Sequence, residues 1–277
     1  MISQSGTPAD VAVIPRNRLY DLGDCLARDW FDAHPFKTAW FNAMSITFPL
    51  GEKFFIDSVR YFSDRIEDRA LQQEIGAFSA QEGFHRREHE RYNRALCAAR
   101  GYDLAYLERR LVRRLEFTLK WFSPLQQLAM TAATEHITAI MAELALAPVN
   151  PMMSGAELPI RKFWEWHAAE ESEHKSVAFD VFRAVGGGEA MRRRWMVLSA
   201  IDLLIVIVGG VVHMLRRDGT LWNRALWRDG WRFLFGSGGI LRRIWPAFRA
   251  YFAVDFHPWQ RETRHLLVRW RAADTAA

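Results

Sequence analysis

Cysteine is close to absent: Cys25 and Cys97 are the only two in 277 residues. So few thiols exclude a disulfide framework and fit a reducing compartment. The opening stretch, Met1 to Trp30, lacks the apolar run of a secretory leader, so a cytoplasmic chain is expected. Lysine is missing from residues 190–277, which carry fifteen arginines and six acidic residues, a balance of +9. Residues 1–189 balance at −4, so the net charge of +5 divides into an acidic body and a basic end suited to different partners. No nucleic-acid-binding motif accompanies the arginines, and no nucleic-acid partner is expected.

Aromatics are abundant, with 12 Trp and 19 Phe, and half the residues are hydrophobic, enough for a sizeable core. Residues 1–33, interrupted by Gly6, Pro8 and Pro15, read as an extended or poorly ordered lead-in. From Pro35 the apolar residues Phe36, Trp40, Phe41 and Met44 recur at helical spacing. Pro49 is expected to break or kink that helix before it resumes at Leu50, with Glu52 in the first turn. Further helices are predicted over Asp68–Ala99, ended by Gly101, over the arginine-rich Asp103–Phe122, and from the Ser123-Pro124 start to Ala147. A loop with Pro148, Pro151, Gly155 and Pro159 then leads to Phe163–Asp180, read as one unbroken helix running to Gly186-Gly187-Gly188.

Beyond the glycines the character changes. Trp195–Leu215 is 21 residues of mostly apolar sequence flanked by arginines. Its length suits a membrane span, but Asp202 weighs against one. Bilayer contact, a buried bundle helix and a dimer interface are all open readings, so a homodimer is among the possibilities. The tail interleaves Trp222, Trp227, Trp231 and Trp245 with arginine, a composition that suits the inner surface of the cytoplasmic membrane. The chain thus divides into a lead-in (1–33), a helical bundle (34–187) and a C-terminal region (188–277) that is helical, basic and hydrophobic.

The chemistry gathers in two helices. His167, Glu171 and His174 stand at i, i+4 and i+7, on one stripe. Imidazole and carboxylate together suit iron, manganese or zinc. Either stripe alone could be an ordinary solvated face. A second copy, Glu82 with His85 and His89, follows the helix bearing Glu52, and the first copy follows the helix bearing Glu135. One Glu from each of two helices and Glu-x-x-His from each of the other two is the recipe of the ferritin-like dinuclear site. The expectation is an all-α, ferritin-like four-helix bundle holding two divalent ions, iron first, with manganese or zinc as alternatives. The expected ligands are Glu52, Glu82, His85, Glu135, His167, Glu171 and His174. His89 is an added ligand, a donor that orients a ligand, or a solvated residue. His136 points about 100° from Glu135 and reads as structural. Glu88, Glu170 and Glu173 read as solvated or as supports behind the ligands, and Glu173→Ala is expected to spare the metal.

The His167-x-x-x-Glu171-x-x-His174 motif resembles the seventh-ligand arrangement of di-iron arylamine N-oxygenases, over that motif only. Trp164–Asp180, the Glu82-Gly-Phe-His85 helix, Phe233-Leu-Phe-Gly236 and Asp255-Phe-His-Pro-Trp259 resemble the bacterial "predicted metal-dependent hydrolase" family of ferritin-like proteins, over about residues 30–272. That resemblance implies a metal-binding helical protein. Three functions follow. The first is an oxygenase or oxidase that activates dioxygen toward a small apolar or lipid-like substrate. The alternative is a hydrolase that uses a metal-activated water. The third is a non-enzymatic metal-binding protein.

Overall fold

The computed structural model describes residues 5–149 and 152–275. Residues 1–4 of the lead-in and Pro151 of the predicted loop lie outside the described residues. The protein is all-α, and among the described residues the only β-type pairing is an isolated bridge between Phe31 and Ala156. In order, the helices are α1 (Gly23–Leu26), α2 (Pro35–Arg60), α3 (Arg69–Arg100), α4 (Leu104–Trp121), α5 (Pro124–Leu146), α6 (Leu158–His174), α7 (Val177–Ala184), α8 (Glu189–Arg217), α9 (Arg224–Phe235), α10 (Ile240–Ala250) and α11 (Arg264–Thr275).

Local chemistry sets the ends. Asp68 caps α3 by accepting from the Leu71 amide at 2.7 Å, and Gly101 ends it at φ 67°, a left-handed turn that glycine adopts without strain. Ser123 and Gln126 form a capping box at the start of α5, with Pro124 behind the cap.

Side-chain pairs fix the directions. At one level Ser58 of α2 meets Thr131 of α5 and Gln81 of α3 meets His174 of α6; at the other Ser45 of α2 meets Asn93 of α3, His89 of α3 meets His167 of α6, and Ala142 and Leu146 of α5 share a cluster with Phe41 of α2. The helix α3 therefore runs against α2, α5 runs parallel to α3, and α6 runs with α2. The helix α4 carries the chain back along the bundle between α3 and α5. Two apolar clusters occupy opposite ends of this assembly. One holds Trp30, Phe41, Phe163 and Trp166, and the other holds Phe54, Phe78, Leu128 and Phe182. The layer between them is polar and is the candidate site.

Three sequence expectations need correction. Pro49 does not break α2, which runs unbroken from Pro35 to Arg60. Proline deprives the carbonyl four residues earlier of its N–H donor. That carbonyl belongs to Ser45, and the Asn93 side-chain amide donates to it at 3.0 Å. The missing bond is replaced from the neighbouring helix. Second, Phe163–Asp180 is two helices, parted at Lys175-Ser176. Lys175 is buried there, its ammonium donating to the Arg261 carbonyl and to Thr263, while Ser176 bonds Thr7 and Trp259. These long-range anchors override a locally helical sequence. Third, of the two readings of the lead-in the poorly ordered one falls: its described residues run without helix over 11–22 and strap α3, α6 and α7. The Gly6, Ile14, Arg16 and Tyr20 amides donate to Asp180, Glu173, Glu170 and Glu88 in turn.

The helix α8 packs one side on α2 and α5 through Trp195, Met196, Ile207, Val211 and Met214. Its other side leaves Leu198, Ile201, Ile205 and Val208 40–53% exposed. It is long and apolar enough to cross a membrane, and only 28% of its most apolar window is buried in the protein, so a fully buried bundle helix is excluded.

Candidate metal centre

Each of the seven proposed ligands reaches the middle layer. Their donor atoms fall into three overlapping triads, each within 4.8 Å: Glu52, His85 and His167; Glu82, His85 and Glu171; Glu82, Glu135 and His174. Every one of these residues is at most 3% exposed. Four carboxylates in a dry core demand cations, because uncompensated burial of a charge is costly. Both carboxylate oxygens of Glu52, Glu82 and Glu135, with Nε2 of His174 and Nδ1 of His85, find no hydrogen-bond partner in the protein. Such orphaned, convergent donors fit divalent ions.

The electrostatics point the same way. Burial raises Glu52 well above the usual carboxylate range, with the Glu82 charge adding to the effect. Burial and Glu171 push Glu135 up to about 8, and burial also raises Glu82. Burial opposes the charged form of His85, but Glu170 and Glu82 outweigh it and lift the ring to about 10. Glu171 goes the other way: the charge on neighbouring His174 overcomes its burial and holds it low. Burial and His85 lower His167 to about 4, keeping it neutral at pH 7, as a ligand must be. Protons thus perform in this cluster the neutralisation that metal ions would perform.

Each imidazole is aimed by a partner on its far nitrogen, as metal-binding histidines require. His174 Nδ1 lies 2.8 Å from Gln81 Oε1, and Gln81 in turn donates to Glu173 at 2.9 Å. His85 Nε2 lies 3.0 Å from Glu170 Oε2, a pairing distance although the ring N–H is not aligned on the oxygen. His167 Nδ1 lies 2.8 Å from His89 Nε2, and His89 Nδ1 lies 2.8 Å from the Ser45 hydroxyl. Ser45 donates to Asn93 Oδ1 at 2.7 Å, and the Asn93 amide is fixed by the Ser45 carbonyl that Pro49 leaves free. Running the donors outward from that amide assigns the proton to His167 Nδ1 and turns its Nε2 toward the cluster, 2.9 Å from Glu171 Oε1, two acceptors facing each other where a cation would sit. His89 is therefore placed behind His167, 0% exposed, which excludes the solvated reading. His136 stands apart, with Nε2 3.2 Å from the Ala247 carbonyl and its ring against Tyr251.

Glu88, Glu170 and Glu173 are buried, so the solvated reading of them is corrected. Arg16 reaches Glu173 at 2.7 Å and Glu170 at 3.3 Å, and Arg271 of α11 reaches Glu173 at 2.7 Å. The strap and the C-terminal helix thus neutralise the carboxylate behind His85 and the one that holds Gln81. Glu88 is held by Arg87, Arg91 and the Tyr20 amide. The expectation that Glu173→Ala spares the metal changes accordingly. Removing Glu173 takes from Arg16 its nearest carboxylate and from Gln81 one of its two acceptors, loosening the support behind His174, and metal affinity is expected to fall about 10–100-fold, as is usual for supporting partners. His89→Phe is expected to weaken metal binding in the same range by freeing His167. Competition with a chelator of known affinity measures both; unchanged affinity in both variants would sink the supporting roles.

A chamber of about 40 Å³ touches the cluster at His167 and Glu171 and is walled by Met44, Phe48, Met141 and Trp164. Its one hydroxyl, on Thr138, is turned to the Glu135 carbonyl at 3.0 Å.

Buried carboxylates and aimed imidazoles converging from separate helices define a metal-binding helical protein. The chain belongs to the family described as predicted metal-dependent hydrolase, which matches residues 14–262. No curated protein and no solved structure matches it. The family description agrees with the resemblance seen in the sequence. Of the two enzymatic chemistries expected there, it names the hydrolytic one, which the sequence reading placed second.

Proposed function

We propose that the protein is a dinuclear metal-dependent enzyme of ferritin-like architecture, that its metal is iron, and that it activates dioxygen toward an apolar, lipid-like substrate. The architecture is supported by the helix directions: α2 and α6 run one way, α3 and α5 the other, and α4 supplies the single long crossover of ferritin-like bundles. Glu52, Glu82, His85, Glu135, His167, Glu171 and His174 would hold the ions. Iron held there would supply electrons to dioxygen, and these hard carboxylate donors would suit the oxidised metal.

The apolar chamber carries the oxidative reading. Its walls away from His167 and Glu171 are almost wholly apolar, and its volume suits a diatomic molecule. Hydrolysis is the second reading, favoured by the family description. It calls for a general acid or base beside the ligands, and the chamber wall offers only a hydroxyl already bonded to its own helix.

The exposed row of α8 and the exposed Trp222, Trp231 and Trp245 among arginines support contact with an anionic membrane surface at its cytoplasmic side. The same apolar row would also suit a second copy of the chain. Sedimentation with anionic vesicles separates these: lipid contact gives salt-sensitive cosedimentation, and its absence would remove the membrane from the reading.

Chemistry is tested by loading the protein with iron, reducing it, and following dioxygen in an electrode cell. Rapid uptake with a new near-ultraviolet band is expected. Ester hydrolysis by the zinc or manganese form, without dioxygen uptake by the iron form, would overturn the oxidative reading and establish the hydrolytic one.

A further inference from the structure

The helices α4 and α8 run antiparallel and touch at both ends. Tyr106 stacks on His213 at 4.6 Å, and Phe122 meets Trp195 edge-on at 4.9 Å. Between these ends they part over a groove of about 920 Å³, floored by α2 and α5. That volume lies within the roughly 300–1,000 Å³ of small-molecule sites. Along α8 the groove extends from Arg194 to Gly210, roughly 24 Å at the helical rise. Its mouth coincides with the exposed apolar row of Leu198, Ile201 and Ile205. Its inner end shares Met44, Phe48, Thr138 and Met141 with the chamber beside the metal cluster. Four side chains therefore separate the long groove from the candidate reaction site.

The groove is apolar along its length and basic at its rim. Arg109, Arg110, Arg113, Arg114 and Arg194 line it against a single acid, Asp202. Among the described residues, only Arg114 of these five forms an ion pair, and it does so with Asp202 across the gap between the helices. A carboxylate is thus already seated on a guanidinium at the rim, with further unpaired guanidinium groups beside it.

We propose that this groove binds a single long-chain carboxylate, its head exchanging with Asp202 on Arg114 and its chain running along α8 toward Phe48 and Met141. The inference rests on the apolar-substrate reading above and gives that substrate its chemical class. Asp202 acts as a latch: it holds α4 to α8 when the groove is empty and yields Arg114 to a matching anion. A guanidinium fork suits the exchange because it pairs with either carboxylate in the same planar geometry.

The test uses the full-length protein, with cis-parinaric acid as a fluorescent probe displaced by oleate or by oleyl alcohol, its uncharged counterpart. Oleate is expected to displace the probe saturably at one site per chain, at least about tenfold more tightly than the alcohol. Arg114→Met is expected to weaken oleate about tenfold and leave the alcohol unchanged. Asp202→Asn is expected to tighten oleate several-fold by freeing Arg114. Val206→Trp, which fills the groove, is expected to abolish binding of both, with Leu198→Trp as the second filling variant should the first not fold. Equal affinity of oleate and alcohol, wild-type affinity in Arg114→Met, or probe binding untouched by a folded filling variant would overturn the proposal. Metal content is measured on the same samples. Loss of oleate binding with metal retained speaks against the groove alone, whereas an absent metal with oleate binding intact speaks against the centre alone.

Discussion

Glu82→Ala is expected to abolish stable metal loading, because Glu82 belongs to two of the three donor triads and joins the His174 end of the cluster to the His85 end. Removing a peripheral ligand such as Glu52 takes a donor from one triad; removing Glu82 takes one from both ends at once. The substitution also removes one of the carboxylates that face His174 and His85, at 3.3 Å and 3.6 Å. A truncated ligand commonly costs far more than the 10–100-fold of a supporting partner. Elemental analysis after desalting should give well under half the wild-type metal in Glu82→Ala, with helical content retained because the site is bounded by two intact apolar clusters. Wild-type metal content in a folded Glu82→Ala protein would remove Glu82 from the centre.

Stripping the metal is expected to produce the largest change in stability, and the change should depend on pH. A ligand at a thousandfold excess over its Kd stabilises by about 4 kcal/mol. For a chain of this size that corresponds to roughly 8–16 °C in Tm. In the metal-free protein Glu135 titrates at about 8, above its ordinary value of 4.5, chiefly through burial and then through Glu171. Its folded state therefore holds a proton that the unfolded chain releases. The associated stability is present below pH 4.5 and is lost as pH rises through 8. Glu52 and Glu82 shift in the same direction. Below pH 6.5 the buried His167, His89 and His136, lowered from 6.5 by burial, act in the opposite sense. The metal-free protein should therefore weaken from about pH 6.5 to 8, while bound cations stabilise the ionised carboxylates, so the gap in Tm between the two forms widens toward pH 8. Loading at pH 7 should release protons, which calorimetry in buffers of different ionisation enthalpy measures. Equal Tm for the two forms across this range would contradict a structural load of buried, unpaired carboxylates.

The ligand set was legible because helical periodicity is local: His167, Glu171 and His174 share a stripe whatever surrounds them, and Glu135 stands alone in an apolar run. The supports were not legible, because their partners lie far along the chain. Arg16 is 157 residues from Glu173, and Gln81 is 93 from His174. One signal was present in the sequence. Between Trp166 and His174 the acids and histidines cover more than one face of α6, leaving no separate apolar stripe, and every residue there is buried. Such a helix has to find polar partners on all sides. Pro49 misled for a related reason: the donor that rescues the Ser45 carbonyl comes from Asn93, on another helix. The break at Lys175-Ser176 was hidden likewise, since its anchors Thr7, Trp259 and Thr263 come from the two ends of the chain.

Anomalous diffraction from crystals of the metal-loaded protein locates the ions directly. Two peaks are expected in the polar layer between α2, α3, α5 and α6, one toward His85 and His167 and the other toward His174, with Glu82 between them. Peaks elsewhere in the chain, or a metal-loaded protein in which these seven side chains contact no ion, would contradict the centre.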